Sequence, residues 1–206
     1  GEMLGEHRLM GHAFGVYEEL IHVPMVVRRP GQRRGARVGE PASATRLFHT
    51  CLAAAGVDAY EDVSGKRVEV QSLGLPMGNG QHRNASVVVT EAYAPEFAVG
   101  VMEARKEPLI DKLRCRATHR AVYDNGHKLI SVDGEEDLLF SLRDDPHEIN
   151  SLNGDDNNVL KRRLGGRLRA FVGEAMNRRL HDDGQRAANA DDAVVQQRLR
   201  DLGYLE

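Results

Sequence analysis

The tripeptide Asp124-Asn-Gly126, set between Arg120-Ala-Val-Tyr123 and His127-Lys-Leu-Ile-Ser-Val132, constrains the fold of this 206-residue chain more than any other feature. Asn-Gly readily takes the two left-handed conformations of a tight hairpin, and apolar, β-branched residues flank it on both sides. The two runs are therefore expected to pair as antiparallel strands. Ser86-Val-Val-Val-Thr90 and Asp137-Leu-Leu-Phe-Ser-Leu142 read as two more short strands, so a small antiparallel sheet follows. Residues 157 to 180 are expected to be helical, with Val159, Leu160, Leu164, Leu168, Phe171 and Val172 on one face and basic residues on the other. Such a helix should cover one face of the sheet.

The amino-terminal part has a different grammar. Phe14, Tyr17, Leu20 and Ile21 form an apolar stripe on a short helix over residues 13 to 22. His22-Val-Pro-Met-Val-Val-Arg28, stopped by Arg29-Pro30-Gly31, reads as a buried strand, with Pro24 suited to its first residues or to an edge. A second helix should begin in Pro41-Ala-Ser-Ala-Thr-Arg46, with Ser43 or Thr45 as N-cap, and run through Leu47, Phe48, Cys51 and Leu52 to Gly56. Helix, strand, loop and helix make an α/β pattern. Residues 1–57 thus read as the end of an α/β domain, 58–84 as a connection, 85–180 as a small α+β domain, and 181–206 as a polar linker with a terminal amphipathic helix. The chain opens at Gly1 on a dense Gly, Glu and His cluster and reads as entered in mid-domain.

Composition narrows the function. With 31 acidic against 28 basic residues the formal net charge is −3, so no global field draws in nucleic acid or an anionic membrane, and neither is expected as a partner. No apolar run is long enough for a bilayer. Cys51 and Cys115 are far apart and outside any CxxC pair, which suits a reducing, cytoplasmic setting. Cys51, on the apolar stripe of its helix, reads as a buried small hydrophobe. Glu18 and Glu19 read as the solvated side of theirs, and the basic clusters Arg28 to Arg37 and Lys161 to Arg169 as solvated faces. Asp144-Asp145-Pro146 with Glu148 reads as a turn closed by local Asx-type hydrogen bonds. Glu6, His7 and His12 lack the spacing of a metal cluster, and no metal site is assigned within the chain.

Three blocks carry a family resemblance. Gly1-Glu-Met-Leu-Gly-Glu-His-Arg-Leu-Met-Gly-His12, followed by Tyr17-Glu-Glu-Leu-Ile-His-Val-Pro-Met-Val-Val-Arg-Arg-Pro-Gly31, resembles the segment near the end of the large domain of sulfatases. Leu138-Leu-Phe-Ser-Leu-Arg-Asp-Asp-Pro-His-Glu-Ile-Asn-Ser-Leu152 resembles that family's carboxy-terminal signature, preceded by a strand like Lys128-Leu-Ile, and Arg198-Leu-Arg-Asp-Leu-Gly-Tyr-Leu205 is similar to some of its tails. The resemblance implies the carboxy-terminal piece of an alkaline-phosphatase-like α/β domain, followed by the small sheet and its helix. It implies hydrolysis of a sulfate ester, on a small molecule or glycan, by a formylglycine made from Cys or Ser in a Cys/Ser-x-Pro/Ala-x-Arg motif and assisted by calcium. Neither cysteine here has that context, and the acidic calcium ligands would lie outside this chain. One site residue is implied within it: His12 stands where the family has a Lys or His that contacts the sulfate group, as a catalytic and substrate-binding residue. Glu2 either orients an absent ligand or is an exposed or capping carboxylate. A phosphodiester or phosphonate ester hydrolase of the same superfamily, and an inactive remnant or binding module, are the alternatives.

Overall fold

The computed structural model describes residues 1–28, 32–33, 35, 37–39, 41–61, 67–70, 73, 87–152, 154 and 157–189, with side chains in the last helix as far as Asn177. In chain order the elements are β1 (Met3–Leu4), a 3-10 turn (Glu6–Arg8), β2 (Met10–Gly11), α1 (Glu18–Ile21), α2 (Arg46–Ala54), β3 (Ala59–Glu61), β4 (Arg67–Glu69), β5 (Val88–Ala92), α3 (Glu96–Ala104), α4 (Leu109–Lys112), β6 (His119–Asp124), β7 (His127–Val132), β8 (Leu138–Ser141) and α5 (Asn158–Asn189).

The hairpin turn at Asn125 (φ 46°) and Gly126 (φ 77°) places both residues in the left-handed region, which is the geometry that Asn-Gly adopts at least cost. It sets Asp124 opposite His127, Tyr123 opposite Lys128 and Val122 opposite Leu129. β8 then adds to β7 with Leu139 opposite Leu129, and β5 adds to the other edge with Val89 opposite Val122, giving an antiparallel sheet in the order β5-β6-β7-β8. Side chains alternate between faces along each strand, so this register gives the sheet two apolar sides. Val122, Leu129 and Leu139 meet Leu160, Leu164, Leu168 and Val172 of α5. Ala121, Ile130 and Phe140 on the opposite side are covered by Val16, Tyr17 and Ile21 from the amino-terminal segment. The sheet is the middle layer of three.

The chain is mixed helix and strand, and every strand pairing among the described residues is antiparallel. The α/β unit expected over residues 1–57 does not form as a sheet. Residues 22–28 make no ladder with another strand, and Val26 is 93% exposed. A strand is held by partner backbone, Pro24 has no N–H to offer, and no described strand lies alongside. The first helix is a single turn rather than the expected 13–22, because Gly15 sits at φ 93° and Tyr17 is still extended where α1 begins. α2 forms and closes at Gly56 (φ 77°), with the Val57 N–H donating to the Leu52 carbonyl, the expected glycine stop. Thr45 at its start makes no side-chain capping bond, and Cys51 is exposed rather than buried, since α2 buries none of its residues.

Other differences are local. The connection at 58–84 contains the β3–β4 hairpin, while 62–66, 71–72 and 74–86 lie outside the described residues. α3 and α4 fill the excursion between β5 and β6, which sequence periodicity left unassigned. α5 continues through Asn189, past the linker expected from residue 181. The expected terminal helix lies outside the described residues. No described helix is long and apolar enough to cross a membrane.

Candidate active site

β1 and β2 pair Met3 with Gly11 and Leu4 with Met10. Glu2 and His12 are the next facing pair outward, and the Glu2 Oε2 carboxylate lies 2.9 Å from His12 Nδ1. The His12 side chain is 78% exposed. A carboxylate at Nδ1 fixes the ring's orientation and leaves Nε2 open to solvent, the way a carboxylate partner presents an imidazole to a ligand. The base of the hairpin is firm, since Met3 is fully buried and Gly1 lies so close to the Glu19 carbonyl that a Cβ has no room there.

Behind this rim lies an ionic cluster, most of it buried. Lys128 is 0% exposed, and its Nζ stands 2.7 Å from Glu148 Oε1 and 3.0 Å from Glu18 Oε1. The Tyr123 hydroxyl donates to the same Glu18 oxygen at 2.5 Å, and the Glu18 backbone N–H donates to Glu148 Oε2 at 2.7 Å. Burial pushes the Glu148 carboxyl up, against the pull of Lys128 and the Glu18 amide. Burial, reinforced by Glu18, holds the Tyr123 phenol far above its usual range. The phenol therefore stays protonated as a donor at neutral pH.

The 3-10 turn between β1 and β2 is strained, with His7 (φ 50°) and Arg8 (φ 62°) consecutively left-handed. The His7 ring stacks on Tyr17 at 3.7 Å between centroids, with Nε2 at 3.8 Å from Glu19 Oε2, a buried oxygen that has no hydrogen-bond partner among the described residues. Glu19 Oε1 is 3.2 Å from His147 Nδ1. Burial lowers the pKa of His7 below its ordinary 6.5, Lys128 adds to that, and Glu19, the His147 backbone and Glu6 oppose it. His7 is thus neutral in the folded chain at pH 7. As pH falls below about 6.5 the unfolded chain takes up this proton first, so stability present above that pH is lost on acidification. Urea midpoints are expected to drop between about pH 7.5 and about pH 5.5, and His7→Gln is expected to flatten that dependence. An unchanged slope in His7→Gln would rule out His7 as its source.

The chain is similar to a sulfatase. It is 25% identical over 153 residues to the uncharacterized sulfatase YidJ of Escherichia coli (strain K12), a stretch covering 74% of this chain and 26% of that protein. The chain therefore spans about a quarter of the length of the relative it matches. No family model matches the chain, and no solved structure matches it.

The structure places His12 on an exposed hairpin, with Glu2, itself an exposed carboxylate, as its partner. Glu18 and Glu19 are not the solvated side of α1, because their carboxylates hold Lys128, Tyr123, His7 and His147. The turn after β8 does have the expected local bonds, Ser141 Oγ to Asp144 at 2.6 Å and the Ile149 and Asn150 N–H groups to Asp145 at 3.1 and 2.8 Å. Its Glu148, however, is buried in the ionic cluster, which sequence reasoning missed. The basic face of α5 is also engaged: Arg163 and Arg167 converge on Asp124 Oδ2 at 2.8 and 3.2 Å, and Lys161 meets Glu136 at 2.9 Å. The other basic cluster falls partly on residues outside the described ones. No group of three or more His, Cys, Asp or Glu side chains among the described residues is placed to hold a metal ion. The described residues do not fit the calcium ion that the resemblance implies.

Proposed function

We propose that this chain is the carboxy-terminal part of a sulfuric ester hydrolase with an alkaline-phosphatase-like fold, and that it contributes His12 as the sulfate-contacting residue. The observation that carries this reading is the likeness to a sulfatase over 74% of the chain. The geometry at the hairpin supports it. An exposed imidazole anchored through Nδ1 by Glu2 presents Nε2 outward. As an imidazolium it donates an N–H to a sulfate oxygen or to the departing ester oxygen, which counters the charge developing there. The nucleophile and the calcium that the resemblance implies belong to segments other than this chain. The substrate is a sulfated small molecule or glycan, with no role for nucleic acid or membrane, and a cytoplasmic setting is part of the proposal.

The test uses the protein encoded by the whole reading frame that contains these residues, assayed on 4-nitrophenyl sulfate and on a phenylphosphonate monoester. Sulfate ester turnover is expected to dominate, and His12→Ala is expected to lower kcat by about 100-fold, the loss typical of removing one oxyanion donor. The 206-residue chain alone is expected to be inactive, since no Cys/Ser-x-Pro/Ala-x-Arg motif occurs in it. Preference for the phosphonate would move the assignment to the phosphonate ester hydrolases. No turnover of either ester, or a His12→Ala enzyme as fast as its parent, would end the reading.

A further inference from the structure

α1 is four residues long, far below the length at which a helix sustains itself. Its N-cap, Tyr17, makes no capping side-chain bond. The capping carboxylate comes instead from Glu148, whose Oε2 accepts the Glu18 N–H, and the Glu18 side chain is held by Lys128 and Tyr123 from the sheet. Glu148 is in an unfavourable state by two separate measures, a left-handed backbone (φ 53°) and a buried carboxylate. A turn of this kind has simpler ways to close. Glu148 also carries out the capping, and among the described residues its charge is met by Lys128 alone.

What α1 carries is the candidate site. Gly1 packs on the α1 backbone at Glu19, and the Glu19 carboxylate faces His7 in the turn that joins β1 to β2. From Gly1 the chain leads directly to Glu2, and from His7 through β2 to His12. We propose that Lys128 and Glu148 are positioning residues for the Glu2–His12 pair: they fix the first turn of α1 against the sheet, and α1 fixes the hairpin that aims the imidazole. This rests on the proposed role of His12 only for what the imidazole does once it is placed.

The experiment needs no turnover, so its failure is distinguishable from a failure of the sulfatase reading. In the 206-residue chain, Lys128→Met combined with Glu148→Leu removes the clasp while keeping apolar volume in the sheet. Hydrogen exchange at residues 119–141 and in α5 is expected to stay as in the parent, while amides in 1–22 exchange at least about tenfold faster. The nuclear Overhauser contact between the His12 ring and the Glu2 side chain is expected to disappear, a change that a pin serving the sheet alone would not cause. If that double variant does not fold, Glu148→Met alone, which removes the cap on the Glu18 N–H and leaves Lys128 paired with Glu18, poses the same question. Loss of the His12–Glu2 contact over an intact sheet supports the proposal, and its persistence in the folded variant overturns it.

Discussion

Lys128→Met alone is expected to destabilise the chain by about 3–5 kcal/mol, the range seen when one partner of a buried ion pair is removed. The cost comes from what remains. Glu148 is as buried as Lys128, with Nζ at 2.7 Å as its counter-charge, and the Glu18 N–H is a neutral donor that cannot replace it. Glu18 sits nearby with a second negative charge, so the variant holds two carboxylates where the parent holds an ammonium between them. Removing both Lys128 and Glu148 as apolar residues is expected to recover most of the loss, because the buried charge goes with its partner. Exposed pairs behave differently: Arg67 and Glu69 are 3.0 Å apart on the surface, and breaking them is expected to cost at most about 1 kcal/mol. Urea denaturation of the three variants is the measurement. A single Lys128→Met variant as stable as the parent, or a double variant no better than the single, would show that the cluster is solvated after all.

The parts of this fold that were legible in the sequence are those whose signal is local. Asn125-Gly126 specifies its own backbone conformation, so the β6–β7 register could be read before any contact was known. Leu160, Leu164 and Leu168 recur every four residues and revealed the face of α5 that meets the sheet. Lys128 was not legible as a buried cation, because a lysine in a strand ordinarily faces solvent. Only the docking of residues 16–21 on the second side of the sheet closes over it, and that contact spans more than a hundred residues. The same long-range packing misled the reading of Glu18 and Glu19, which look like the polar side of a helix in any local window. The extended run at 22–28 shows the converse. Its composition suits a strand, but composition supplies no hydrogen-bond partner, and the described chain offers none. His12 came from resemblance alone, and its Glu2 partner follows from a two-residue ladder too short to predict.

Leu164→Ala is expected to cost about 2–5 kcal/mol, through lost burial and the cavity left behind. Leu164 is fully buried among Val122, Leu129 and Leu139, and the sheet beneath it is pinned by strands on both sides and cannot collapse far into the gap. Val159 is the contrast, since it was expected on the same apolar face. At about 100° per residue it lies about 140° around the helix from Leu164, and it is 67% exposed. Val159→Ala is therefore expected to stay within about 0.5 kcal/mol of the parent. Arg163 and Arg167 keep their grip on Asp124 in both variants, so far-ultraviolet dichroism should still report α5 at low denaturant. The losses from Leu164→Ala and Lys128→Met should add, because the two side chains pack on opposite sides of the sheet and share no partner. Their sum, about 5–10 kcal/mol, is comparable with the whole stability of an ordinary domain. The chain carrying both is thus expected to be unfolded without denaturant, and a cooperative urea transition in that double variant would show that the two sides of the sheet are not independent supports of one fold.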